Sequence, residues 1–298
     1  MIKCGTVAVV GKANAGKSTL INVLVGEKVA IVSPKPQTTR DRILGILTTK
    51  NYQIVFEDTP GFYRSSTALN KKMQKTARRT AKDVDVLLFV IDCHDGVKEE
   101  DLEILKSLES DVKTIVALSK IDIMPKENIP EALVRIQEVA PNAEIIPISA
   151  RKNRNIKELL SIIVDLLPNR ESAMFGDDVI SDKSEKFMIA EIMREKILLL
   201  FDKEIPHGIA VVVNEFSKRK SGTYEVNLDI VCEKQNHKSI LIGKQGSAIK
   251  KASSFARESM EKFLGAPVFL TTYVKVKDNW RDSENLMAEF GYGDIDKV

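Results

Sequence analysis

Apolar positions in the first half of the chain fall into short runs, separated by stretches in which they recur every three or four residues. GTVAVV (5–10), YQIVFED (52–58), VDVLLFVID (84–92), TIVALSK (114–120) and AEIIPIS (143–149) have strand length and are rich in β-branched residues. STLINVLVG (18–26), ALNKKMQKTARRTAKD (68–83), EEDLEILKSLE (99–109), ENIPEALVRIQEVA (127–140) and NIKELLSIIVDLLP (155–168) show helical spacing between and after them. This alternation predicts an α/β domain over 1–170, a mostly parallel sheet with helices on both faces. Residues 171–184 are polar and turn-rich with paired aspartates, and read as a linker.

The rhythm then changes. A helix, KFMIAEIMREKILLLFDKE (186–204), precedes two strand-like runs, GIAVVVNEF (208–216) and TYEVNLDIVCE (223–233). A helical segment broken by a glycine loop and a last strand, VFLTTYVKVK (268–277), follow, so 185–298 is expected to form a separate α+β domain with a C-terminal tail.

Composition narrows the class. A chain of 298 residues suits two domains, and 43% apolar with 29% charged residues, 15 Gly and 10 Pro excludes collagen-like, disordered and coiled-coil chains. The net charge of +3 leaves any nucleic-acid surface to a local patch. Cys4, Cys93 and Cys232 lack paired spacing and are read as reduced thiols of a cytoplasmic protein. The first apolar run is too short for a signal peptide, and no stretch approaches the ~20 residues of a transmembrane segment.

GKANAGKS (11–18) fits GxxxxGK[ST] between a strand and a helix. Gly11 and Gly16 permit close backbone approach, and N–H groups from Asn14 and Ala15 through to Thr19 would face phosphates at the helix N-terminus. Lys17 would reach the β- and γ-phosphates and Ser18 would bind Mg²⁺. In DTPG (58–61), Asp58 would act on the metal and the Gly61 N–H on the γ-phosphate. SKID (119–122) sets the base: the Asp122 carboxylate accepts from guanine N1–H and N2–H₂, donors that adenine lacks, while Lys120 packs along the ring. ISA (148–150) would add the Ala150 N–H to guanine O6 beside Ser149, with Lys152 nearby.

These boxes resemble the translation-factor class of P-loop GTPases. PQTTRDR (36–42) is similar to the effector threonine segment of that superfamily, which assigns Thr39, with Thr38 the second choice, to Mg²⁺ and the γ-phosphate. Lys17, Thr39, Gly61 and Asn14 are the residues expected to act on the phosphates during hydrolysis. Arg40 and Arg42 are read either as acting on phosphate or, by preference, as solvated surface charges. Two positions depart from the class. Ser119 stands where an asparagine usually ties the guanine loop to the P-loop, which predicts weaker nucleotide binding with guanine preference kept. Phe62 stands where many GTPases carry the glutamine that orients water, so unassisted hydrolysis should be slow, about 10⁻⁴ to 10⁻² s⁻¹. In related GTPases with such a replacement the asparagine matching Asn14 helps hold K⁺; the other reading is a loop-stabilising residue.

GKQG (243–246) is weak alone, but the order helix, strand, strand, helix–GxxG–helix, strand resembles a KH domain in its bacterial arrangement, whose loop clamps about four nucleotides of single-stranded RNA. Gly243, Lys244, Gln245 and Gly246 would form the clamp, Ile240 and Ile242 an apolar groove beneath the bases, and Lys250 and Lys251 further positive charge. Lys234 and Lys238 complete a basic cluster facing one acid, Glu233. SKRKSGT (217–223) is either a second phosphate contact or a solvated turn; Trp280 is read as packing, and His94, His207 and His237 as structural.

A GTPase domain with QTT, DTPG and Phe62, followed directly by a KH domain with GKQG, resembles the Era family of bacterial GTPases over essentially the full chain. The resemblance implies a monomeric protein that binds the 3′ end of 16S ribosomal RNA, assists small-subunit assembly and rRNA maturation, and associates peripherally with the inner membrane. A second domain that binds protein or membrane is the competing reading. An ATPase or nucleotide kinase is disfavoured by Lys120, Asp122 and ISA.

Overall fold

The computed structural model describes residues 1–62, 67–108, 111–202 and 205–292. By their contacts they form two units, the first comprising 1–32, 39–64 and 72–182, the second 33–38, 65–71 and 183–298.

The first unit runs β1 (Ile2–Val10), α1 (Lys17–Val25), β2 (Ile43–Thr48), β3 (Tyr52–Asp58), α2 (Ala68–Thr80, whose residues 68–71 count with the second unit), β4 (Val86–Asp92), α3 (Glu99–Ser107), β5 (Lys113–Ser119), α4 (Ile129–Val139), β6 (Glu144–Pro147), α5 (Ile156–Leu166) and β7 (Asn169–Arg170). Its sheet has the order β2-β3-β1-β4-β5-β6, with β7 paired to the start of β1. Only β2 and β7 are antiparallel. Because the central strands are covered on both sides, they are continuous apolar runs rather than alternating ones. Val7, Val9 and Val90 point to a core with Leu20, Leu159 and Ile163, and Ala8, Val10 and Phe89 to a core with Ala77, Leu105 and Ile136. All parallel strands therefore end at one edge, and P-loop, DTPG, SKID and ISA all follow from it.

Two features differ from the sequence reading. The strand β2 was not expected, because ILGILT has no alternation and lies between the switch segment and β3. The segment expected as a linker is docked for most of its length. Gln53, fully buried on β3, accepts from the backbone N–H groups of Met174 (2.7 Å) and Phe175 (2.9 Å) and donates to the Phe175 carbonyl (2.9 Å). Further on, the Ile46 N–H donates to the Ile180 carbonyl at 2.9 Å and the Leu44 N–H to Asp182 Oδ1 at 2.8 Å. Phe175 and Val179 pack on Leu44, Ile46 and Val55. Its polar, turn-like composition reflects an irregular strap, not a free tether.

In the second unit, α6 (Glu185–Leu200) is capped by Ser184 and followed by β8 (Ala210–Lys218), β9 (Tyr224–Cys232), α7 (Gln235–Ile242), α8 (Ser247–Leu264), β10 (Val268–Val276) and α9 (Glu284–Glu289). The sheet order is β10-β9-β8, with β10 parallel and β8 antiparallel to β9. Met193 and Ile197 of α6 and Ala252, Ala256 and Met260 of α8 bury Val226, Leu228 and Ile230. The helix expected over 186–204 stops earlier because Phe201 turns extended, with φ −119° and ψ 150°. Arg194, buried on α6, pairs with Glu191 and donates to the carbonyls of Gln37 and Thr38, which this unit includes. Trp280 is fully buried, donates to the Gly208 carbonyl at 2.9 Å and stacks on Tyr292. Among the described residues no helix is long and apolar enough to cross a membrane.

Replacing Gln53 by alanine strands buried amides whose desolvation is otherwise compensated. The Gln53→Ala protein should lose about 2–4 kcal/mol of local opening free energy at Met174 and Phe175, read by hydrogen exchange. Unchanged protection there would mean that the apolar contacts of Phe175 and Val179 hold the strap without it.

Candidate functional site

Gly11 closes β1 with φ 146°, and a Cβ there would lie 2.2 Å from the Val90 carbonyl oxygen, so the turn needs glycine on two grounds. Asn14 at φ 65° and Gly16 at φ 98° curl the loop over the start of α1. Lys17 is buried there, its Nζ donating to the carbonyls of Gly11 (3.1 Å) and Lys12 (2.8 Å). Burial lowers its pKa from 10.5 to about 8, opposed by the charge of Asp58. Asn14 stands exposed at the loop's tip.

Asp58, at the end of β3, is fully buried. Its Oδ2 accepts from Ser18 Oγ at 2.7 Å and Thr39 Oγ1 at 3.2 Å, and the two hydroxyls lie 2.9 Å apart. Desolvation raises the Asp58 pKa, against the opposing effects of Lys17, Ser18 and Thr39. The other oxygen, Oδ1, is buried without a hydrogen-bond partner. Thr38, the alternative to Thr39, donates instead to the Lys35 carbonyl at 2.6 Å. Among the described residues no group of three or more His, Cys, Asp or Glu side chains could hold a metal ion. A cation here would have hydroxyls and one carboxylate, a hard-oxygen set.

The DTPG segment lies against the P-loop. The Phe62 N–H donates to the Gly11 carbonyl (3.1 Å) and the Ala13 N–H to the Phe62 carbonyl (3.2 Å). A Cβ on Gly61 would sit 2.7 Å from the Ala13 backbone and 2.9 Å from Lys17 Nζ, which places its backbone directly over the loop. The Phe62 ring is buried with Ala77 and Ala81, and the Arg78 guanidinium stands 5.8 Å from its centroid.

Four hydrogen bonds of side chains shape the guanine end. Ser119, nearly buried, donates to the Ala15 carbonyl at 2.6 Å, so serine still ties this loop to the P-loop. Ser149 donates to Asp122 Oδ1 at 2.6 Å and accepts from the Lys152 N–H at 3.1 Å. That bond to Ser149 is the main cause of a lowered Asp122 pKa. Lys120, at φ 63°, is held by Asp92 Oδ2 at 2.6 Å. Asp92 is the residue that sequence reasoning missed; its only signal was a carboxylate ending the strand before SKID. Ala150 is half-buried and Thr19 lies one residue into α1 beyond Ser18. Cys93 is buried, and its thiol is pushed up to about 12 chiefly by desolvation, so it is inert.

In the second unit, Gly243 (φ 72°, ψ 177°), Gln245 (φ 50°) and Gly246 (φ 78°) form a tight loop between α7 and α8. A Cβ on Gly243 would meet Ala248 Cβ at 2.7 Å, so only glycine lets α8 start this close. Lys244, Gln245, Lys250 and Lys251 are exposed, Ile240 is 52% exposed, and Ile242 is half-buried beside it. Glu233, the one acid of the basic cluster, is buried and paired with Arg281, so it does not offset Lys234 or Lys244 at the surface.

A family model described as 50S ribosome-binding GTPase matches residues 6–120, and a KH domain model matches residues 204–281. GTPase Era of Clostridium kluyveri is 45% identical over 98% of this chain and 100% of its own length. That of Clostridium botulinum strain Hall is 44% identical over 98% and 99%. A crystal structure of Aquifex aeolicus Era bound to GDP·AlF₄⁻ superposes with a TM-score of 0.93 at 38% identity, over 98% of this chain and 100% of that one. A second Era structure, with the same score, identity and coverage, is described as a complex with MgGDPNP and nucleotides 1506–1542 of 16S ribosomal RNA.

The buried amine gives a pH test. Phosphate favours charged Lys17, so above about pH 8 binding must also take up a proton, and affinity falls as pH rises. GDP should bind about tenfold more weakly at pH 9 than at pH 7, by titration calorimetry in two buffers. Constant affinity across that range would mean the amine stays charged throughout.

Proposed function

The chain belongs to the GTPase Era family, and on that premise we propose that it is a GTP-hydrolysing switch that binds the 3′ end of 16S ribosomal RNA and assists assembly and rRNA maturation of the small ribosomal subunit. The observation that carries the reading is the meeting of Ser18, Thr39 and Asp58 oxygens within 3.2 Å of one another, next to buried Lys17.

In this reading Lys17 exchanges its carbonyl partners for β- and γ-phosphate oxygens and meets the charge that develops on them. Ser18, Thr39 and Asp58 would hold Mg²⁺; their hard oxygens and the partnerless Asp58 Oδ1 fit that ion, which neutralises phosphate charge when bound. The Gly61 N–H contacts the γ-phosphate, and the N–H groups from Asn14 to Thr19 cradle the phosphate chain. Asp122, aimed by Ser149, accepts from guanine N1–H and N2–H₂, and the Ala150 N–H donates to O6 with Lys152 alongside. Lys120, held by Asp92, lies along the base.

A buried phenyl ring cannot orient the attacking water, so Phe62 leaves intrinsic hydrolysis slow. Asn14 then helps to hold K⁺ at the phosphates. In the second unit the backbone of Gly243 to Gly246, with Lys244 and Gln245, clamps RNA phosphates. Ile240 and Ile242 underlie the bases, and Lys250 and Lys251 extend the positive charge. A monomer in the cytoplasm, with peripheral contact at the inner membrane, belongs to the same reading and rests on the family resemblance.

Two measurements test it. Turnover should be several-fold faster in K⁺ than in Na⁺ at equal ionic strength, and equal rates would remove the ion from Asn14. RNA carrying the 16S 3′ end should bind more tightly with a non-hydrolysable GTP analogue than with GDP, and the Lys244→Asp, Gln245→Asp protein should bind at least about tenfold more weakly. Affinity indifferent to the loop substitution would assign the second unit to another partner.

A further inference from the structure

The helix α2 carries a charge pattern that the nucleotide site does not use. Its thirteen residues, ALNKKMQKTARRT, hold five cations and no carboxylate. Every third or fourth position is buried, with Leu69, Met73 and Ala77 in the core and Ala81 just beyond the helix end, and the helix positions turned to solvent are Lys71, Lys75, Arg78 and Arg79, followed in the next turn by exposed Lys82 and one acid, Asp83. Lys75 has Lys71 and Arg79 four residues to either side and Lys72 and Arg78 three residues to either side. All four of its neighbours on the helix surface therefore repel it, an arrangement that weakens a helix. Of the other helices of the same unit, α1 holds one charge, the buried Lys17; α3 begins with Glu99, Glu100 and Asp101, and α4 and α5 each pair one cation with two carboxylates. Among the helices of the first unit, positive charge is concentrated on this face, although the chain's net charge is only +3.

We propose that the solvent face of α2, centred on Lys75, Arg79 and Lys82, is a second RNA contact that grips the phosphate backbone separately from the GKQG loop. The inference rests on the reading of the chain as an RNA-binding GTPase and extends it to the first unit. Charge complementarity selects the occupant. Lysines and arginines spaced along some two turns match successive phosphates and carry no base preference. A bilayer surface is the poorer fit, because an interfacial helix leaves its apolar face free to enter lipid, and here that face is spent on the core. Such a contact adds affinity and salt dependence without sequence selectivity, which the loop and its groove supply.

The experiment uses the full chain and full-length 16S ribosomal RNA, with binding measured over a salt series. The proteins compared are the parent, Lys75→Glu/Arg79→Glu/Lys82→Glu, the neutral Lys75→Gln/Arg79→Gln/Lys82→Gln, and Lys244→Asp/Gln245→Asp. Both α2 variants should bind at least about tenfold more weakly near ~0.1 M salt, with a log–log salt slope shallower by about 2. Their RNA-free GTPase rate should stay at the parent level, which reports an intact first unit. Unchanged affinity and slope in the neutral variant overturn the inference. If only the loop variant loses RNA, the inference fails and the proposed function stands; a parent that binds no RNA overturns both. Loss of binding to phosphatidylcholine–phosphatidylglycerol vesicles, with RNA affinity intact, also overturns it and assigns the face to lipid.

Discussion

A cation and an anion are buried together at the carboxyl edge of the first sheet, and the nucleotide site is arranged around that constraint. Neither Lys17 nor Asp58 is solvated well enough to be stable alone as an ion, and desolvation is the largest influence on both. Each is tolerable because the other is near, and because Ser18, Thr39 and two P-loop carbonyls supply hydrogen bonds. The residual imbalance is chemically useful. An amine with a depressed pKa and a carboxylate with a raised one both gain when a phosphate and a cation arrive together, so ligand binding completes a network that the protein alone leaves short of charge.

The phosphate end of this site was legible in the sequence because its determinants are local. A glycine whose Cβ would strike Val90, a strand before it and an amphipathic helix after it are all contained in fewer than thirty residues. The same holds for GKQG, where contact with Ala248, five residues on, explains the first glycine. What stayed hidden depends on residues far apart in the chain. Asp92 holds Lys120 from 28 positions away, and nothing near Asp92 announces it. The preference for Thr39 over Thr38 came from the family resemblance and not from local pattern. What separates the two in space is a left-handed Gln37, at φ 63°, just before the pair, and whether Lys35 or Asp58 receives each hydroxyl. The strand β2 lacks alternation because it packs on both sides, against α1 and beneath the strap.

Ser119 shows how one contact of a motif can be made by a different side chain. The shorter residue predicts weaker nucleotide binding, and its hydroxyl still reaches the Ala15 carbonyl at 2.6 Å. One bond does the fastening, and the backbone carries more of the loop's position: the Ile121 N–H bonds to Ile148, and the Ile148 N–H to Leu118. Motif letters thus report which contact is made less faithfully than which loops must touch.

The strap over residues 174–182 has a consequence for how the sheet edge avoids pairing with other chains. Strand β2 ends the sheet, and its outward N–H groups at Leu44 and Ile46 would otherwise offer a template for pairing with a second chain. The strap fills that template with the Ile180 carbonyl and the Asp182 carboxylate and lays Phe175 and Val179 over Leu44, Ile46 and Val55. A fragment cut at the end of β7 would keep every nucleotide-site residue of the first unit and yet carry a bare, apolar sheet edge, the feature from which intermolecular β-pairing and aggregation begin.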